Sequence, residues 1–323
     1  MNQENPESYL EDLVVPIRIP TPFAVGDVFC YLIKDEKIVL VDTGPKQEEA
    51  REILEITFRE HGIRLKDIEE IWLTHGHPDH FGLAAQLAEV SGAGLYGHRK
   101  ERSNFSGDHD REHFKNFFEK HLVPQDHIEQ MIKQLDWLAQ YQDPVEPTWI
   151  KDGDKLETGQ LSFAVKHAPG HAAGHLVFRE DSGLIIGGDV LLEHISTNAL
   201  INFDPDTGER NRSLLQYRES LRWMKQQTGL VLPGHGKQIR DISQKAGHHL
   251  MEQEERYGRI REMLDEQPRS LLRLSLEAFP FAIMKGDLFL VISEVLGYLD
   301  WGREDGVIEA FEIDGKLKYR TVN

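Results

Sequence analysis

Residues 74–80 read Thr-His-Gly-His-Pro-Asp-His, which puts His75, His77, Asp79 and His80 within six positions of one another. Neutral imidazole and carboxylate are suitable ligands for zinc, iron or manganese. The string follows a short apolar run, EIWLT, and precedes a helical pattern. A turn at that junction can aim His75 and His77 at one ion while Asp79 and His80, at the mouth of the helix, face a second. The plain alternative is a polar turn with chance histidines. A His-x-His-x-Asp-His string at a strand–helix junction is too specific a pattern for that. The chain has 16 histidines and a single cysteine, Cys30, which excludes an internal disulfide and a Cys₂ or Cys₄ zinc site.

The elements that must position these residues are legible in the hydrophobic pattern. Strands are predicted at 14–19, 28–34, 37–42, 70–75, 93–97, 161–167, 175–180, 183–189 and 230–233, each rich in β-branched or aromatic residues and bounded by turn residues. Helical spacing predicts helices over 47–60, from about Asp79 to Val90, and over 213–227. The stretch 98–143 reads as a helical, charged and aromatic insertion, with Phe105, Phe114, Phe117 and Phe118 at helical intervals. It is expected either to pack as core or to form a lid walling an apolar pocket. After Gly236 the character changes. Helices are expected over about 241–266, 270–279 and 287–300, and Asp314-Gly315 between two alternating runs predicts a hairpin. Residues 1–240 are therefore read as the catalytic domain and 241–323 as a small winged-helix-like domain.

With these elements in place, the 74–80 string resembles the signature of the metallo-β-lactamase superfamily, and further motifs follow in order. VDTG (41–44) is similar to the first motif and APGHAAGH (168–175) to the third. IIGGDVLL (185–192) is similar to the fourth and LPGHG (232–236) to the fifth. The resemblance implies an α/β (α+β) fold, an αββα sandwich with the metals at one edge. It implies that His75, His77 and His171 hold one ion, that Asp79, His80 and His235 hold the other, and that Asp189 bridges them. Two divalent ions, zinc first and iron or manganese as alternatives, would supply a dinuclear-site hydroxide and stabilise the oxyanion that follows its attack. Asp79 is also the expected catalytic residue, orienting that hydroxide and taking its proton. Asp42, by the same resemblance, supports the site by hydrogen bonding and is not a ligand.

The remaining histidines are read as bystanders. His98, His109, His113, His121 and His127 are taken as surface or lid residues, and His248 and His249 as solvated. His175 is left between a partner of the ligands and a plain strand residue, His194 is a pocket candidate, and Cys30 is a small core residue.

Formal net charge is −18, a field that repels nucleic acid and anionic membranes. The acidic balance continues through 252–305, so the tail is expected to cover or pair rather than bind RNA. No apolar run approaches the roughly 20 residues that span a bilayer. The polar opening MNQENPESYL lacks a secretory pattern, so a cytoplasmic enzyme is expected. The expected reaction is hydrolysis of a small-molecule ester, thioester or lactone. A metal-dependent endoribonuclease or phosphodiesterase is the alternative, and a homodimer is compatible with the tail. A metal-binding scaffold is disfavoured because every ligand position is filled. An iron oxidoreductase is disfavoured because His77 stands where such members carry glutamate.

Overall fold

The computed structural model describes residues 12–280 and 287–322; the opening decapeptide, read above for its lack of a leader, lies outside them. One sheet holds β1 (Val14–Ile19), β2 (Val28–Lys34), β3 (Ile38–Val41), β4 (Glu70–Trp72), β5 (Gly94–Gly97) and β6 (Thr148–Trp149) in sequential order. The other holds β7 (Lys155–Glu157), β8 (Ser162–His167), β9 (Leu176–Glu180), β10 (Leu184–Gly188) and β11 (Leu230–Pro233), ordered β11-β10-β9-β8-β7.

The period-2 alternation of strand side chains explains why these two sheets stack. Along β2, Tyr31 and Ile33 face inward to Trp72, Phe163 and Phe178, whereas Cys30 and Leu32 face outward. The outward set meets Leu54 and Phe58 of α1 (Glu48–Glu60) and Phe81. A strand covered on both faces reads as an almost unbroken apolar run, as VFCYLIK does. On the second sheet Leu176, Phe178, Leu184 and Ile186 join the inner core. Val177, Ile185 and Val231 face outward instead, onto helices described below. Helix, sheet, sheet, helix: the architecture is the mixed α/β sandwich expected. Trp72 sits at its centre, edge-on to Phe163 at 5.3 Å.

One predicted helix is broken. The segment from Asp79 to Val90 forms α2 (Pro78–Phe81) and α3 (Ala84–Ser91). The amide of Leu83, which would continue α2, donates to Gly44 O at 3.2 Å and lies 3.2 Å from Thr43 Oγ1. Asp79 and His80 thus ride on one short turn, with Pro78 at its first position, where a missing N–H costs nothing. Strands β6 and β7 are not anticipated by the pattern; they are short and carry few apolar residues. The helix predicted to reach 266 ends at Glu262, and the one predicted to end at 300 runs to Glu304.

The insertion is helical as expected, with α4 (Arg102–Ser106), α5 (Arg111–Lys120) and α6 (Gln125–Leu138). It is followed by α7 (Ser213–Lys225), α8 (Ile242–Glu262), α9 (Leu271–Ala278), α10 (Leu288–Glu304) and the hairpin β12 (Ile308–Ile313)–β13 (Lys316–Thr321). The hairpin turns through Asp314 (φ 50°) and Gly315 (φ 74°), the left-handed pair that a two-residue type I′ turn needs. A single core joins the outer face of the second sheet to α7, α8, α9, α10 and to Phe118, Ile128 and Met131 of the insertion.

Two histidines are corrected here. His121 is buried, its Nδ1 2.8 Å from Phe117 O and its Nε2 3.1 Å from Tyr319 Oη, because β13 covers that face of α5. His249 is buried on the inner face of α8. Exposed charges beside each histidine hide this from the sequence pattern.

Candidate metal centre

Parallel pairing puts four strand ends at one edge. β3 runs parallel to β4, and β10 to β11. Their carboxyl ends lead into Asp42, the 73–80 turn, Asp189 and His235, the position where α/β sheets habitually bind ligands. His171 comes from the connection between β8 and β9. Phe29 N donates to Gly234 O at 2.7 Å and Val28 bridges to His235, so the two sheets are tied together at this edge.

All seven residues expected to be ligands converge there. Their donor atoms form three overlapping groups, His75–His77–His171, His75–His80–Asp189 and Asp79–His80–His235, each within 4.8 Å. His77 Nδ1 lies 3.0 Å from both His75 Nε2 and His171 Nε2. Asp189 stands between the two sides: Oδ1 is 3.5 Å from His80 Nε2, and Oδ2 is 3.6 Å from His171 Nε2 and 3.5 Å from His235 Nε2. Asp79 Oδ2 is 3.4 Å from His235 Nε2. Ligands bound at about 2.0–2.1 Å to a tetrahedral ion are separated by about 3.3–3.4 Å. The spacing of these carboxylates and imidazoles matches that value and exceeds a hydrogen bond. His80 Nε2, His235 Nε2 and Asp189 Oδ1 are buried and have no hydrogen-bond partner. Bare buried acceptors aimed at one another are costly unless a cation joins them. The cluster is able to bind metal ions.

Groups behind the ligands fix which ring nitrogen faces in. His80 Nδ1 lies 2.7 Å from Asp42 Oδ2, His235 Nδ1 2.7 Å from Asp27 O, and His171 Nδ1 3.0 Å from Asn198 O. Each is an acceptor, so Nδ1 carries a proton and Nε2 is the nitrogen turned toward the site. His75 Nδ1 meets Thr74 Oγ1 at 3.0 Å, and that hydroxyl donates to Asp42 Oδ2 at 2.7 Å. Asp42 also accepts from Thr74 N at 2.8 Å and takes a positive φ of 58° to do so. This is the supporting role expected for it. Gly234 is required by space: a Cβ there would fall 2.2 Å from Asp189 Oδ1 and 2.7 Å from His80 Cε1.

Burial and charge divide the site. Burial, reinforced by neighbouring imidazoles, holds His75 well below the usual histidine range and His77 down to about 3. Burial also lowers His171, against the pull of Asp189. For His80 burial works in the same direction, but Asp189, Asp42 and Asp79 outweigh it and the pKa is raised; His235 behaves likewise through Asp189 and Asp79. Burial would raise Asp189, yet His235, His80 and His171 hold it well below the usual carboxylate range. The shifts thus favour neutral imidazole at His75, His77 and His171 and ionised carboxylate at Asp189, the forms that bind metal, while His80 and His235 are held by the carboxylates around them.

His175 resolves as a partner of the site. Its Nε2 accepts from Asp189 N at 2.9 Å and its ring stacks on His75 at 4.9 Å. His194 is exposed, with its ring beside Gly236. Glu101 escapes the sequence reading. It is buried and holds the backbone of both ligand loops, and nothing in the charged string HRKER distinguishes it from a solvated residue.

Comparison with known proteins agrees with this geometry. The family model of the metallo-beta-lactamase superfamily matches residues 24–235. Probable metallo-hydrolase YqjP of Bacillus subtilis (strain 168) is 32% identical over 318 residues, 96% of this chain and 98% of that protein. The crystal structure of a metallo-beta-lactamase family protein from Thermus thermophilus superposes with a TM-score of 0.82 at 26% identity, covering 97% of this chain and 100% of that one. Hydroxyacylglutathione hydrolase GloC of Haemophilus influenzae is 27% identical over 168 residues, 51% of this chain and 66% of that protein. A sandwich whose ligand-bearing edge and overall likeness run so far in parallel leaves one assignment: this chain belongs to the metallo-beta-lactamase superfamily of metallo-hydrolases.

Proposed function

We propose that the protein is a two-metal hydrolase of small-molecule esters, thioesters or lactones. The convergence of bare ring nitrogens and ionised carboxylates at the sandwich edge carries this reading. His75, His77 and His171 would hold one divalent ion and Asp79, His80 and His235 a second, with Asp189 standing between the two sides. Imidazole-rich coordination suits zinc or iron better than manganese, and zinc is the ion we propose first. Bound there, divalent ions would supply an activated water and polarise the bond under attack. Asp79, kept ionised by His80 and His235 against the effect of burial, sits where it can orient the water and accept its proton.

Thioester cleavage draws support from the hydroxyacylglutathione hydrolase among the relatives, and ester and lactone cleavage are the same carbonyl chemistry. Nucleic acid is disfavoured by the net charge of −18. Residues 241–323 are read as a winged-helix-like unit that covers the second sheet and offers a face for dimerisation, and the insertion after α4 as a lid. Among the described residues no helix is long and apolar enough to cross a membrane; the cytoplasmic location we propose draws on the single cysteine, a composition that forms no internal disulfide.

Elemental analysis combined with a panel of p-nitrophenyl esters, acyl thioesters, lactones, bis-p-nitrophenyl phosphate and RNA tests the reading. Turnover of a carbonyl substrate that chelator abolishes and zinc restores is the expected result. Cleavage confined to bis-p-nitrophenyl phosphate or RNA would overturn it. Asp79→Asn is expected to lower turnover by about 100-fold or more. Full metal content with an unchanged rate would remove Asp79 from proton transfer.

A further inference from the structure

The first turn of the insertion is wired into the metal centre. Glu101 Oε1 accepts from Gly174 N at 2.6 Å, and Oε2 accepts from Gly76 N at 3.1 Å and from Asn104 Nδ2 at 2.6 Å. Gly76 stands between His75 and His77; Gly174 stands between His171 and His175. One buried carboxylate thus spans the two loops that carry the all-imidazole half of the site. Neither loop position has room for a side chain. A Cβ on Gly76 would lie 2.7 Å from Glu101 Oε2, and one on Gly174 would lie 2.9 Å from Glu101 Cγ.

The residues around Glu101 hold it in place. His98 stacks on His167 with centroids 4.2 Å apart. Arg99 and Arg102 reach Asp206 at 3.0 and 3.3 Å, and Arg102 also donates to Pro205 O at 2.8 Å. That partner segment begins a few residues after Asn198, whose carbonyl orients His171. The 98–102 turn therefore touches three of the strands' exit loops at once.

We propose that Glu101 is a positioning residue for the His75–His77–His171 half of the metal centre, setting the separation of the two loops that supply those imidazoles. The inference rests on the reading of these histidines as ligands. It assigns residues 98–102 to the scaffold of the site rather than to a lid. A carboxylate suits the task because it only accepts, and both amides can donate to it. Glutamine is the informative replacement: it keeps the size but offers one acceptor oxygen, and its NH₂ would face an N–H.

The test uses the full chain, stripped of metal and titrated with cobalt(II). In Glu101→Gln the cobalt affinity, read by chelator competition, is expected to fall by about 10–100-fold, with a changed visible spectrum. In the metal-free protein the Gly76 and Gly174 amides are expected to exchange hydrogen faster, a readout independent of turnover. Asp300→Asn, in the C-terminal unit, serves as the comparison: it is expected to lower thermal stability while leaving the cobalt spectrum unchanged. If Glu101→Gln does not fold, Asn104→Ala removes one donor to the same carboxylate and is expected to weaken cobalt binding by about 3–10-fold. Unchanged affinity, spectrum and amide exchange in the folded variant would overturn the proposal. A wild-type chain that takes up no cobalt would overturn the ligand reading, and this inference with it.

Discussion

Buried and half-buried histidines and charged residues gather in two regions, the sandwich edge and the seam where the insertion, α7 and its preceding loop, and the C-terminal elements meet. At the seam the polar groups reach outward to protein partners. His121 engages Phe117 O and Tyr319 Oη, Arg210 donates to Asp300 at 2.7 Å, Arg256 to Glu294 at 3.1 Å, and the Arg218 guanidinium lies 3.8 Å over the Trp301 ring. At the edge each supporting bond uses the far nitrogen of an imidazole and leaves the near one bare. His249 also has an unpartnered nitrogen, but it belongs to none of the ligand clusters found among the described residues. Burial alone does not separate a structural histidine from a functional one. Several bare atoms converging on one point does.

That contrast can be broken by mutation. Asp189→Ala strikes both halves of the edge and is expected to reduce turnover by more than about 100-fold, beyond what loss of a supporting group costs, with metal content falling in parallel by elemental analysis. Asp300→Ala leaves the half-buried Arg210 without its carboxylate and is expected to cost about 1.5–3 kcal/mol in denaturant unfolding, with turnover per folded molecule preserved. Asp42→Asn sits behind the edge rather than on it. Removing an acceptor that serves both His80 and Thr74 is expected to cost about 10–100-fold in metal affinity or rate, with about 1–3 kcal/mol of stability lost through the buried donor left unpaired.

The smallest effect concerns pH. Burial holds His121 at about 4, below the unfolded histidine value of about 6.5. A depressed pKa contributes stability that is present above the unfolded value and is lost as pH falls through the folded one. The melting temperature is therefore expected to decline between about pH 6.5 and 4, and His121→Phe to flatten part of that slope. An equal slope in the variant would assign it to other groups.

Much of this was legible from residue type and spacing. Strand ends followed by His, Asp and Gly announced the site, and VFCYLIK announced a strand covered on both sides. Asp314-Gly315 announced its turn. What escaped depends on partners distant along the chain. Glu101 satisfies amides 25 and 73 positions away, and an amide donor leaves no trace in residue identity. The break between α2 and α3 depends on Gly44 and Thr43 capturing one N–H. His121 and His249 sit among charges that mark a solvated helix, until β13 and the second sheet's helices cover the other face.

The shared core beneath the second sheet also bears on how the chain is born. A nascent polypeptide released as far as residue 240 already contains all seven ligand residues, yet the apolar core that joins Val177, Ile185 and Val231 to α7 is still missing its members from α8, α9 and α10. The first sheet can close against α1 while synthesis continues, since its outer core draws on residues 17–105. The core under the second sheet also draws on residues as late as Ile308 and Tyr319. A ribosome stalled before α10 would leave apolar faces of α7, α8 and α9 uncovered, an oily surface for chaperones to hold.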